Sequence, residues 1–321
     1  MSNCIDANCF PSFFISHGGP TFMYNDPTSD EGAWYTLNGL GKKFQNQWKP
    51  DYYIVVSAHW QSSTPGAIEI AVPHTLRQGK PKGENSLVYD FYNFPLYMYK
   101  EQFRTEASST VAEKIRYELE QEGYWGKFTE RGIDHGVWVP FKVLFLKERK
   151  KGGVVETNSD WALPGSTLIQ VSLPANVNNF DDLHRLGRAL SRLRTTSVAD
   201  LDKGPLKGLI ICSGMTGHNL RDFFTSATFQ VGSDLLYVEK FHEKLREAIN
   251  SLDVVGGLKN LQTEHGTLLK KAHPTLEHFA PLVVATGLID LQKEPIKEIY
   301  NSDKMPGLGW GIYRFGHDYV K

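Results

Sequence analysis

At 321 residues, with 40% apolar and 22% charged side chains, the chain has the composition of an ordinary soluble globular protein and room for one large α/β domain or two small ones. Lysine and arginine number 35 against 36 aspartates and glutamates, a formal net charge of −1, which excludes the basic footprint of nucleic-acid or anionic-membrane binding. No apolar run approaches the ~20 residues of a membrane span and no charged-then-apolar leader opens the sequence. With only Cys4, Cys9 and Cys212, a disulfide framework is not expected, and a reducing, cytoplasmic setting is the default expectation.

In chain order, residues 10–16 and 52–58 are apolar runs of strand length, rich in aromatic and β-branched types. Between them Leu37, Leu40, Phe44 and Trp48 recur at helical spacing until Lys49-Pro50. Strand, helix, strand in this order predicts a parallel crossover. Residues 61–95 break the pattern with Gly66, Pro73, Gly79, Pro81, Gly83 and Pro95, and read as one long functional loop carrying the aromatic stretch from Tyr89 to Pro95. A helix is predicted over 106–122, stopped by Gly123. Asp134-His135-Gly136 opens another, with Val137, Phe141, Leu144 and Phe145 on one face.

Residues 147–166 read as a polar surface insertion, Thr167–Leu173 as a strand, and 195–205 as a second polar connector. Between the last two, Asp181-Asp182 caps a helix striped by Leu183, Leu186, Leu190 and Leu193. A strand over 206–212 leads towards His218, helices follow at 234–252 and 278–291, and the alternation of strand and helix is expected to continue to the end. The fold expectation is therefore α/β: a single catalytic domain over 1–321, with a mostly parallel central sheet flanked by helices on both faces. Ligands of such sheets bind at the carboxyl ends of the strands.

Histidines fall at those ends. His17 closes the first apolar run and His59 the second, while His218 follows Gly214-Met215-Thr216-Gly217, a turn flexible enough to aim an imidazole over a bound molecule. Gly18-Gly19 after His17 removes bulk, allowing backbone to approach a ligand. His273 and His278 are five residues apart and do not share a helix face, so one of them is expected to face the metal while the other supports it or caps the helix. Neutral imidazoles suit zinc and iron(II), and three protein ligands leave positions open for water, substrate or dioxygen. His74, His184, His242 and His317 read as ordinary surface or helix-flank residues. Ser213-Gly214 lacks the preceding glycine of a nucleophile elbow, so a serine hydrolase is unsupported. Neither Gly39-Leu40-Gly41 nor Gly307-Leu308-Gly309 has the strand-before, helix-after setting of a dinucleotide fingerprint.

The motifs Ser16-His17-Gly18-Gly19-Pro20, Ser57-Ala58-His59-Trp60, Tyr89-Asp90-Phe91-Tyr92-Asn93-Phe94-Pro95 and Asp134-His135-Gly136 stand in a telling order. They continue with Gln170-Val171-Ser172-Leu173, Ser213 to Leu220, and His273 to Leu282. Together they resemble the class III extradiol ring-cleavage dioxygenases, in the branch of 4,5-DOPA dioxygenase-like proteins, from about residue 10 to residue 290. The resemblance implies a non-haem iron(II) site at His17 and His59, with His278 at the position of the third ligand and Glu277 beside it as the carboxylate alternative. It implies His218 as acid–base residue and His135 as a second pocket histidine, acting on a catechol such as DOPA with O2 to give a semialdehyde acid. Zn(II) would fit the same site without supporting dioxygen chemistry. A zinc-dependent hydrolase and a non-catalytic metal-binding relative remain as alternatives, distinguished by metal identity and turnover.

Overall fold

The computed structural model describes residues 9–145, 161–195, 198–200, 204–229 and 237–319. Among the described residues the sheet has eleven strands, of which eight are the longer ones: β1 (Ser12–Ser16), β2 (Tyr52–Gln61), β3 (Ala67–Val72), β4 (Trp125–Glu130), β5 (Thr167–Leu173), β6 (Gly208–Gly214), β7 (Ile296–Met305) and β8 (Leu308–Phe315). Along the sheet the order is β8-β1-β6-β2-β5-β3-β4, with the short strand Gly217–His218 and β7 both on β8. Strands β1, β6, β2 and β5 run parallel, as do β3 and β4. The β3–β5 contact and the β8 pairings are antiparallel.

The central strands bury both faces because their side chains alternate at a period of two. Phe14, Tyr52, Ile54, Val56, Ile210 and Cys212 point into one core. Phe13, Ile15, Tyr53, Val55, Leu209 and Ile211 point into the other. The second core is covered by α1 (Glu31–Lys43) and by α3 (His135–Phe145). The first is covered by α2 (Ser109–Gln121), α4 (Phe180–Thr195), α6 (Tyr237–Ile249), α7 (Val254–Thr263), α8 (Gly266–Ala272) and α9 (Ala280–Thr286). A further helix, α5 (Leu220–Phe229), follows His218. Each fully buried large apolar side chain contributes about 1.5–3 kcal/mol relative to exposure, so two such layers hold the sheet rigidly. No helix among the described residues is long and apolar enough to cross a membrane.

Three expectations change. The stretch 61–95 is not one loop: Ala67–Val72 is a fully buried strand and Lys82–Glu84 a short one. Six alternating residues between glycine and proline were too short to stand out from their turn-rich flanks. Strand–helix alternation also stops before the end, because β7 and β8 form an antiparallel hairpin about Gly307 (φ +72°), which places Gly307-Leu308-Gly309 in a turn and strand start. Thirdly, the connector at 195–205 contains a small hairpin, Val198–Asp200 against Gly204–Leu206. The expected insertion at 147–166 lies outside the described residues as far as 160. Among the described residues Cys212 is a free, buried cysteine.

Candidate metal centre

Strand geometry brings three distant imidazoles to one point. His17 leaves the end of β1, His59 lies within β2 rather than after it, and His278 precedes α9. The β2–β6 ladder ends at Ser57, and β2 continues past it to carry His59 and Trp60 over the sheet edge. His17 Nε2 lies 3.1 Å from His59 Nε2, and His278 Nε2 lies 3.2 Å from the same atom. Two nitrogens bound to one zinc- or iron-sized ion at ~2.1 Å stand roughly 3.0–3.4 Å apart, so these spacings match the edges of a coordination polyhedron.

The outer nitrogens explain why the inner ones converge. His17 Nδ1 is 3.0 Å from Ser213 Oγ, whose own proton is donated to the Gly136 carbonyl. His278 Nδ1 is 3.2 Å from Glu277 Oε1, a carboxylate steadied by the Thr275 hydroxyl at 2.8 Å. His59 Nδ1 faces Asp90 Oδ2 at 3.4 Å. Acceptors on the outer side favour the Nδ1–H tautomer, which turns Nε2 lone pairs inwards, the arrangement that metal-binding histidines require. Burial first, then the neighbouring histidines, hold the pKa of His17 and His278 well below 6.5. His59 is lowered by burial and by His135, against a smaller opposing pull from Asp90. Neutral imidazoles gathered about His59 Nε2, each with an acceptor behind it, fit a divalent cation.

His218 and His135 flank this trio. The His218 ring stacks on His278 with centroids 3.5 Å apart and planes at 13°. Burial and then His135 lower its pKa to about 4, so it is a neutral base. Its approach is not flexible: Gly214 to Gly217 is buried and pinned by Met215 N–H to the His278 carbonyl and Thr216 N–H to the Gly309 carbonyl. The His135 ring lies 3.9 Å from that of His59 and edge-on to His17 at 5.7 Å. Candidate ligand atoms group as His17 with His59 and His135, and as His218 with Glu277 and His278.

The space expected beside Gly18 is filled from within. Gly18 adopts φ +61°, and a side chain there would stand 2.4 Å from Trp310, so its role is to seat the turn after β1 against β8. His273 stays apart from the cluster, packed on Phe241 and Phe279. His242 is fully buried rather than on a helix flank, with Nε2 3.0 Å from Thr216 Oγ1. His74 and His317 are exposed, and half-buried His184 bonds Thr286, as ordinary residues do.

Sequence reasoning gave no role to the buried polar residues beneath the histidines. Asp134, wholly buried at the start of α3, accepts hydrogen bonds from Ser57 Oγ (2.7 Å), Arg131 Nη1 (3.1 Å) and the Gln170 amide. Burial and the nearby Asp90 raise its pKa, while Arg131 opposes them. Arg131 also lies over the Trp60 ring at 4.6 Å, so Trp60 packs on a cation rather than standing free. Phe91 meets His135 edge-on at 5.9 Å, whereas Tyr92 points outward, 80% exposed. A cleft of about 470 Å³ shares Glu277 with this region and is also walled by His273, Gln61, Asn178 and Lys270.

Comparison with known proteins decides the family. The family described as the catalytic LigB subunit of aromatic ring-opening dioxygenase matches residues 11–315. The chain belongs to the LigB family. A 4,5-DOPA dioxygenase extradiol-like protein of Schizosaccharomyces pombe is 30% identical over 87% of this chain and 84% of its own. The 4,5-DOPA dioxygenase extradiol of Beta vulgaris is 24% identical over 96% and 97% respectively. A solved structure of an uncharacterized Escherichia coli K12 protein superposes with a TM-score of 0.63 at 21% identity, covering 96% of this chain and 100% of that one, a likeness of fold. LigB membership and the extradiol-like relatives make this chain dioxygenase-like, with a small aromatic molecule and O2 as the reactants the family implies.

Proposed function

We propose that this LigB-family chain is a non-haem iron(II) extradiol dioxygenase that opens a catechol ring, DOPA or a related diol, to a semialdehyde acid. The observation that carries the reading is that His59 Nε2 lies 3.1 Å from His17 Nε2 and 3.2 Å from His278 Nε2, each ring backed by an oxygen acceptor. These three are the ligands in this reading, and Glu277 orients His278 instead of binding. Bound iron(II) supplies the redox chemistry that lets a catecholate react with dioxygen, which zinc in the same place does not.

The remaining histidines supply proton chemistry. His218, neutral and stacked on His278, takes the proton of one substrate hydroxyl and returns it to oxygen later in the cycle. His135, its Nδ1 proton held by Asp90 at 2.8 Å, offers Nε2 as acceptor to the second hydroxyl. Phe91, edge-on to His135, walls the apolar face of the ring. The balance is one catechol and one O2 giving one ring-opened product that carries both oxygen atoms. The family match leaves the hydrolase alternative without an observation in its favour.

Anaerobic reconstitution with iron(II), followed by air and a catechol panel including DOPA, tests the reading. Oxygen uptake with the yellow absorbance of a ring-opened semialdehyde is expected with iron and not with zinc. Full iron occupancy without uptake on any catechol would overturn it.

A further inference from the structure

One carboxylate in the aromatic segment touches two of these imidazoles at once. Asp90 Oδ1 accepts from both the backbone N–H of His135 (3.0 Å) and its ring Nδ1 (2.8 Å). Its other oxygen, Oδ2, faces His59 Nδ1 at 3.4 Å. The two rings lie 3.9 Å apart, so Asp90 bridges a ligand and a pocket residue that are themselves in contact. Next to it, Phe91 packs on His135 and Trp138, and the Tyr89 hydroxyl donates to the Glu101 carbonyl, which ties the same segment down.

A carboxylate is an acceptor only, so it fixes a proton on the Nδ1 it faces and leaves the opposite nitrogen bare. Here a single side chain sets that choice for two rings with different work. We infer that Asp90 is a positioning residue that fixes the Nδ1–H tautomer of both His59 and His135, so that seating the 89–95 segment also prepares the metal ligand and the proton acceptor. This inference rests on the metal reading above for His59, while its His135 half stands on the hydrogen bonds alone. It also gives the segment a role beyond walling a pocket, because a wall displaced from His135 takes the carboxylate with it.

The test uses the full-length protein with Zn(II) alone as probe, together with 15N spectra of the histidine rings in the metal-free protein. The wild type is expected to show His59 and His135 as Nδ1–H tautomers and to bind one zinc. In Asp90→Asn, whose amide can present a donor instead, the His135 signal should lose that fixed pattern and zinc affinity should fall about 10- to 100-fold, the usual scale for a lost supporting carboxylate. A folded Asp90→Asn protein with unchanged tautomers and zinc affinity within twofold of wild type would overturn the inference while leaving the metal reading intact. Failure of the wild type to bind zinc would instead sink the metal reading, and the tautomer spectra would still decide the role of Asp90 at His135. Should Asp90→Asn not fold, the wild-type spectra alone decide, since an Nε2–H tautomer at His135 contradicts the proposal.

Discussion

Two groups of buried histidines sit within this protein, and only one has the makings of a metal site. His17 and His278 each bring Nε2 to within 3.1–3.2 Å of His59 Nε2, with an oxygen acceptor behind each of the three rings. His273 and His242 are buried as well, and their pKa values are also lowered, to about 3 and about 4, chiefly by burial. Yet neither ring nitrogen of His273 makes a well-formed hydrogen bond, His242 Nδ1 has none, and the His273 ring packs on phenylalanines. Burial and a lowered pKa therefore do not mark a ligand. Convergence of bare nitrogens, each oriented from behind, does.

That contrast breaks most sharply under substitution. His59→Ala removes the nitrogen that both other ligands face, so metal affinity should fall by more than the ~100-fold that losing a supporting residue costs, as isothermal titration with zinc would read. Wild-type affinity in that variant would return the trio to the status of core residues. His218→Ala should keep the metal and lower kcat by roughly two to four orders of magnitude, the scale of general acid–base help. Metal loss there would move His218 among the ligands.

Acid should act on the metal-free protein in a definite direction. The folded-state pKa values of His17, His59 and His278 lie below 6.5, so the unfolded chain takes up protons first as pH falls. Their contribution to stability is complete above about pH 6.5 and lost below it, so the apo-protein's Tm should fall between pH 7 and 5. Bound metal should raise Tm wherever it stays bound and leave that slope in place, because the unfolded chain sets the proton uptake. A Tm that rises on acidification would contradict the assignment of these rings as buried and neutral.

The smallest effect is expected in the second group. His273→Phe replaces a poorly partnered ring by an apolar one between Phe241 and Phe279, so metal affinity should not change and stability should stay within ~1 kcal/mol or improve. A large loss of metal in this variant would erase the distinction between the groups.

Sequence alone made the sheet core legible, because β1, β2, β5 and β6 are apolar runs with strand composition, and Thr167–Leu173 matched to the residue. Ala67–Val72 was hidden among prolines and glycines, and the terminal hairpin was hidden because its polar outer residues blur the alternation. The histidines could be named from their place after strands and from the family motifs. What held them could not: Asp90 is 31 residues from His59 in sequence and Ser213 is 196 from His17, so those partnerships exist only once the strands have paired. Asp90 and Ser213 both lay inside quoted motifs, which was the available signal. His242 was misplaced because an amphipathic stripe does not reveal that β8 closes over the helix flank, where Gly309 meets its ring.

The most direct measurement is an anomalous-scattering map from crystals soaked anaerobically in iron(II). A single peak about 2.1–2.2 Å from the Nε2 atoms of His17, His59 and His278 is the predicted result. A fully loaded crystal with its peak elsewhere, between His218 and Glu277 for instance, would contradict the three-histidine site.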